Sequence, residues 1–284
     1  MSDARLPGAR SPGALAGRAL AYVVLAAGAV VFAYPFVWMA LATFKPEAEI
    51  AALNPVPSVW SAESYRLVFT SIPIGRAFLN SVVVTGLVTG LALVFGSLAA
   101  YGLSRLNWRG REVAFSAILF SMMVPGLVLL IPLYTLIVRF GWTDHYAGLV
   151  VPVMMSATSV LILRQHFLTL PQSLVDAARI DGAGELRILF QIVWPASVPA
   201  LVTAGLLVFI GSWNEVLWPL LVIREPDMMT MPQAVALFSV GGGAEGRLGP
   251  QLAAALLLAL PIIGAYLVFQ RRFVDSLATT GLKG

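Results

Sequence analysis

The sequence contains no cysteine, and its 284 residues include only two histidines. Disulfides, iron–sulfur clusters and thiolate zinc sites are therefore excluded. Charge is also scarce: 11% of residues are Asp, Glu, Lys or Arg, against about 25% in a soluble domain. So few charges cannot cover the surface of a chain this size, which argues against an ordinary soluble fold. No G-x-x-x-x-G-K-[ST] phosphate loop occurs, and no segment reads as a soluble α/β unit to carry one. Nothing calls for a bound cofactor, a metal or nucleic acid. What is abundant is apolar surface: 59% of residues are hydrophobic and the mean hydropathy is +0.87. The solvent such a chain expects is lipid.

A helix needs about 20 mostly apolar residues to cross a bilayer, and inside it every backbone group must bond within the segment. Stretches free of acidic and basic residues predict an all-α, polytopic membrane protein with six transmembrane helices and a cytoplasmic loop. The spans fall at about 19–44, 77–104, 113–138, 146–164, 196–223 and 248–270, the fifth containing Glu215. Residues 1–18 read as a basic N-terminal tail, 19–272 as the membrane domain and 273–284 as a C-terminal tail. Pro7, Gly8, Pro12 and Gly13 argue against much structure in the first of these. The apolar run after Arg18 is too long for a signal-peptide core and follows, instead of preceding, Ala14-Leu15-Ala16; a retained first helix is expected.

Of the 18 Lys and Arg, only Lys45, Arg66, Arg76, Arg139, Arg224 and Arg247 fall on the side opposite the N-terminus. The excess of positive charge marks the cytoplasmic side, so both termini are expected there. His145 and His166 then lie at opposite faces and do not share a metal site.

The connection after the fourth span, residues 169–195, is much longer than a turn requires. Thr169 is suited to cap a helix, Pro171 to its first turn and Gly182 to its C′ position. Leu174, Ala177, Ala178 and Asp181 recur at helical spacing, and Ala177 and Ala178 offer a flat surface for close approach. A second helix starts near Gly184, and Pro195 and Pro199 bend its entry into the fifth span. Two readings remain open from helix chemistry: a docking helix for a partner, or an interfacial helix that anchors the loop.

The stretch Asp176-Ala-Ala-Arg-Ile-Asp-Gly-Ala183, followed by Ile192-Val193-Trp194-Pro195, resembles the EAA motif of ABC-importer permeases. Ala177, Ala178, Gly182, Ile192 and Pro195 all match its spacing; Asp176 stands where Glu is usual and Trp194 where Leu is usual. Residues 34–50, the Asn80-Ser81 pair within Arg76–Val84, Gly211–Leu220 and the Lys283-Gly284 terminus are similar to the maltose-type carbohydrate branch. That resemblance implies a channel subunit of an ATP-driven sugar importer of the bacterial inner membrane, and not an enzyme. It further implies two separate ABC ATPase subunits that bind the ATP, a second homologous permease and an extracytoplasmic solute-binding protein. On this reading Asp176, Ala177, Ala178, Asp181 and Gly182 couple to the ATPase.

Glu215 is the one acid inside an apolar segment, and such residues suggest function. With Trp213, Asn214 and Trp218 it forms a candidate substrate pathway or gate, combining hydrogen-bonding groups with flat rings for a sugar. The bland reading is an interfacial tryptophan belt with Glu215 solvated or paired to Arg224. Arg164-Gln165-His166 is expected to meet lipid phosphates or the loop, and residues 46–75 to form an external cap. Two rival functions remain. One is an importer of a phosphorylated polyol such as glycerol 3-phosphate; the other is an ion-coupled secondary transporter using Glu215.

Overall fold

The computed structural model describes residues 12–52 and 54–281, with the side chains of 1–16, 53, 269 and 271–284 left aside. Most of the expected basic tail and the Lys283-Gly284 terminus lie outside the described residues. Among the described residues there is no strand. The helices are α1 (Pro12–Ala42), α2 (Glu47–Ile50), α3 (Glu63–Ser71), α4 (Ile74–Ser104), α5 (Arg111–Ser121), α6 (Gly126–Arg139), α7 (Tyr146–Val150), α8 (Ala157–Thr169), α9 (Gln172–Ile180), α10 (Glu185–Ile188), α11 (Trp194–Ala196), α12 (Val198–Trp213), α13 (Leu217–Val222), α14 (Met231–Val240) and α15 (Leu248–Gly281). Residues 12–18, expected as part of the tail, already belong to α1. Pro12 is compatible with a helix start, because the N–H it lacks has no intrahelical partner there.

Helices α1, α4 and α15 each contain an unbroken stretch long and apolar enough to cross a membrane; three bent pairs bring the count to as many as six. The third candidate differs from the straight helix expected over 113–138. There α5 and α6 meet at 98°, because Pro125 is extended, with φ −61° and ψ 125°, and proline also disfavours helix in the residue before it. In the fourth, α7 runs into a 3₁₀ turn and bends by 44° before α8. Ser156 restarts the helix, its Oγ accepting from Ser159 N at 3.2 Å. The fifth bends by 89° between residues 185–196 and 198–213, after a π-helical turn at Leu189–Val193.

Helices α4, α8 and α12 pack together as the centre. In lipid, apolar side chains gain little by leaving solvent, so close packing through small residues drives association. Ala92, Gly96 and Ala100 line the buried face of α4. A Cβ on Gly96 would lie 3.1 Å from the Ser159 Cβ of α8, so glycine is what permits this approach. Helix α1 lies outside the centre against α15, with Leu25, Phe32 and Phe36 fully on its surface, as suits a helix facing lipid.

Residues 46–52 and 54–75, with α2 and α3, form a cap over one end. Glu47 caps α15, its carboxylate accepting from Leu248 N at 2.6 Å and Gly249 N at 3.0 Å; α2 and α3 both pack on α15. At the opposite end of α4, the α9–α10 hairpin completes a core that contains Tyr101, Leu163, Phe167, Val175, Ala178 and Ile188.

Candidate functional site

Two regions hold the residues singled out by the sequence. The first is the α9–α10 hairpin. Helix α9 ends in a paired set of bonds: Ala183 N donates to Ala178 O and Gly182 N to Arg179 O, both at 3.0 Å. This is the Schellman arrangement, which needs a left-handed residue at C′, and Gly182 has φ +79°. The helix start differs from expectation. Pro171 sits at the cap position, and Thr169 instead donates its hydroxyl to His166 O at 2.8 Å. Thr169 belongs to the preceding helix and is not available as a cap.

The pair Ala177-Ala178 does not present one surface. Ala178 is buried with Val175 against the central helices, whereas Ala177 is exposed on the other side. The outward face carries Leu174, Ala177 and Ile180, the last 87% exposed. Asp176 and Asp181 are exposed beside it; Asp176 accepts from Gln172 Nε2 at 3.0 Å and pairs with Arg179 at 3.4 Å.

Three residues that sequence reasoning missed hold this hairpin in place. Glu185 receives Arg179 Nε at 2.8 Å and Nη2 at 3.2 Å, and the Tyr101 hydroxyl at 2.5 Å. The hydrogen bond to Glu185 raises the pKa of Arg179 above its ordinary value. Arg105, 9% exposed, donates to Leu170 O at 2.6 Å, to Gln172 Oε1 at 2.7 Å and to Phe167 O. Burial lowers the Arg105 pKa, and the three acceptors compensate the lost hydration. Arg105 had registered only as a positive charge; its position at the α4 C-cap was the available signal. Arg164 also differs from expectation. Its guanidinium lies 3.8 Å from the centroid of the Phe115 ring and 3.5 Å from Glu112, so it is engaged by α5 and not by the loop.

The second region is where α12 breaks. The expected fifth span to residue 223 stops at Trp213, and α13 begins at Leu217. Glu215 therefore lies in the break and not within a helix. It is exposed, and its Oε1 accepts from Trp218 N at 3.1 Å, starting the short α13. It makes no ion pair with Arg224, whose side chain donates to the Tyr134 hydroxyl at 3.1 Å.

The four residues expected as one pathway separate. Trp213, 1% exposed, stacks on Phe209, touches Phe78 edge-on and donates to Leu258 O at 3.1 Å. It is covered on both faces and does not line the cavity beside Glu215. Asn214 returns a bond to Ile210 O at 3.0 Å. Glu215 and Trp218 do face a common space, a cavity of about 490 Å³. Its polar wall includes Ser81, Thr85, Ser156, Thr158, Ser212 and Glu215, with apolar side chains between them. Such a mixture suits a small polar ligand.

The Asn80-Ser81 pair fixes the far edge of this cavity. Asn80 Nδ2 donates to Asp227 O at 2.8 Å and Met229 O at 2.9 Å, and Oδ1 accepts from the Tyr146 hydroxyl at 2.7 Å. Ser81 Oγ accepts from Met231 N at 2.7 Å. Together they tie residues 226–231 to α4.

Known proteins match this chain along most of its length. The family described as "Binding-protein-dependent transport system inner membrane component" matches residues 92–276. The arabinooligosaccharides transport system permease protein AraQ of Bacillus subtilis is 34% identical over 260 residues, covering 90% of this chain and 92% of that protein. The trehalose transport system permease protein SugB of Mycobacterium tuberculosis is 32% identical, covering 88% and 92%. The sn-glycerol-3-phosphate transport system permease protein UgpE of Escherichia coli is 32% identical, covering 90% and 93%. A solved bacterial ABC transporter involved in importing the acidic polysaccharide alginate shares the fold, with a TM-score of 0.78 at 23% identity over 94% of this chain and 100% of that one. The coverage by the family and by relatives above the 30% identity level decides the assignment: this chain belongs to the binding-protein-dependent transport system inner membrane components, the membrane permease subunits of ABC importers, and is not an enzyme.

Proposed function

We propose that this chain is one of two homologous channel subunits of an ATP-driven sugar importer, with both termini in the cytoplasm. Two ABC ATPase subunits bind the ATP, and an extracytoplasmic solute-binding protein delivers the sugar. Helix α9 docks in a cleft of one ATPase through its outward face. When the ATPases close, α9 moves, and Arg105 and Glu185 carry that movement into α4 and the helices packed on it. The cavity beside Glu215, Trp218 and Thr230 lies on the substrate path.

The observation that supports this best is the two-sided character of α9. Val175 and Ala178 are committed to the chain's own core, while Leu174, Ala177 and Ile180 are left outward on a short helix closed at Gly182. An interfacial anchor needs no such clamp to the central helices.

Gly182→Val tests the docking. A β-branched residue is ill suited to φ +79°, at a cost of about 1–2 kcal/mol or more, so the end of α9 is expected to rearrange. The tagged variant should reach the membrane at the wild-type level but lose the co-purifying ATPase. Retention of both ATPase and transport would reject the reading of α9. Recovery of the wild-type chain alone, without ATPase or second permease, would reject the importer assembly itself.

A polyol phosphate is the second substrate reading, supported by the similarity to UgpE. The cavity favours it less, since among the described residues no Lys, Arg or His lies on its wall.

A further inference from the structure

We infer that Glu215 is a charge filter: the wall that this subunit contributes admits uncharged carbohydrate and disfavours anionic solutes such as uronates and sugar or polyol phosphates. The inference rests on the importer reading and adds a substrate class and a specificity-determining residue to it.

Among the described residues, Glu215 is the only ionisable side chain on the wall of the 490 Å³ cavity. It makes no ion pair among the described residues, and Arg224, the nearest basic residue in sequence, donates its side chain to Tyr134 and its backbone N–H to Asp144. One carboxylate oxygen is held by Trp218 N, which fixes the group in place and leaves the second oxygen to accept.

The hydroxyls on the wall add to this. Thr230 lines the same cavity, although it is 4% exposed and its Oγ1, which has no hydrogen-bond partner among the described residues, is itself covered. Thr85 and Ser212, also on the wall, face each other at 3.4 Å, a weak bond that ligand hydroxyls can replace. The wall thus offers hydroxyls that both donate and accept, one strong acceptor and no cation. A neutral polyhydroxylated solute meets all of these requirements. An anion meets a like charge held in place on the wall and is repelled by it.

Glu215→Gln separates charge from shape, because the amide oxygen can still accept from Trp218 N. The test uses the intact importer complex in lipid nanodiscs, without the solute-binding protein, so that selection by that protein is bypassed. Binding would be followed by saturation-transfer NMR. The neutral probes are trehalose and diacetylchitobiose, and the anionic probes sn-glycerol 3-phosphate and a mannuronate disaccharide. Wild type should bind at least one neutral probe and should bind the anions weaker by roughly tenfold or more at low salt. In Glu215→Gln the anions should gain roughly tenfold relative to the neutral probes, and salt should lose its effect on the ratio.

An unchanged ratio in the variant would overturn the filter, as would equal binding of anions by wild type. Failure of wild type to bind any probe would overturn the cavity as a site. The importer reading is checked separately by the ATPase present in the same preparation: the filter can fail with the ATPase bound, and a missing ATPase would implicate the assembly instead.

Discussion

The two ends of α4 are engaged in different ways. At the α9 end, charged side chains are held by several partners each: Arg105 reaches three acceptors, and Glu185 joins α4 to α9 through Tyr101 and Arg179. At the cavity end, Asn80 and Ser81 bond to the backbone of residues 226–231, but the polar groups on the cavity wall are lightly engaged, with Thr85 and Ser212 3.4 Å apart and Glu215 held through one oxygen. On the proposed function, the α9 end transmits force and gains from groups held at several points, whereas the cavity must release its ligand and gains from groups that bind weakly and singly.

The largest expected effect falls on the α9 end. Arg105→Ala removes the guanidinium donor from the carbonyls of Phe167 and Leu170 and from the amide of Gln172; hydrogen bonds to a charged donor are worth about 1.5–3 kcal/mol each. The variant should unfold in detergent with a loss of about 3 kcal/mol or more, and Arg105→Lys should recover part of it. A wild-type unfolding temperature for Arg105→Ala would mean that the two ends are held alike.

A smaller and more local effect is expected from Asn80→Ala. It removes two donated bonds and one accepted bond, for a loss of about 1–3 kcal/mol. Hydrogen exchange should rise in residues 226–231 while α9 keeps its protection. Equal loosening of both regions would show that they behave as one rigid body.

The smallest effect concerns Asp144, in the turn before α7. Its carboxylate accepts from Arg224 N at 2.6 Å and Glu225 N at 2.9 Å. The bond to Glu225 N, then that to Arg224 N, lowers the Asp144 pKa below the usual aspartate value. The stabilisation is therefore present above the unfolded pKa of about 3.9 and is lost as pH falls through the lower folded value. Solvent screening keeps it to about 1 kcal/mol or less. Acid titration of wild type against Asp144→Asn, followed by unfolding temperature, should show a steeper loss for wild type below about pH 4. Parallel titration curves would assign the acid sensitivity elsewhere.

The contrast between the two ends also marks what could be read from residue order. Gly182 was legible because a helix that ends in a left-handed residue leaves a local signature, glycine one turn beyond an amphipathic run. The apolar stretches of α1, α4 and α15 were legible for the same reason: composition over 20-odd neighbouring residues is local information. Ala177 and Ala178 were not separable, since adjacent residues point in directions about 100° apart on a helix and only the position of the core decides which one is inside. Arg105 and Glu185 escaped because their partners are distant in sequence or lie across a turn, and hydrophobic periodicity carries no record of such pairings.

Trp213 and Trp218 show the same limit. Five residues apart on a continuous helix they would lie about 140° apart around the axis, but the break at Asn214–Val216 resets that relation, sending one ring into the α15 interface and the other to the cavity. By itself the sequence determined that the chain is all-helical, lipid-embedded and equipped with a two-part helical loop, because these properties follow from composition and short-range spacing. Only the tertiary structure decided where the helices break, which face of α9 remains free and which of the four candidate residues reach the cavity, because each of these depends on contacts between segments far apart along the chain.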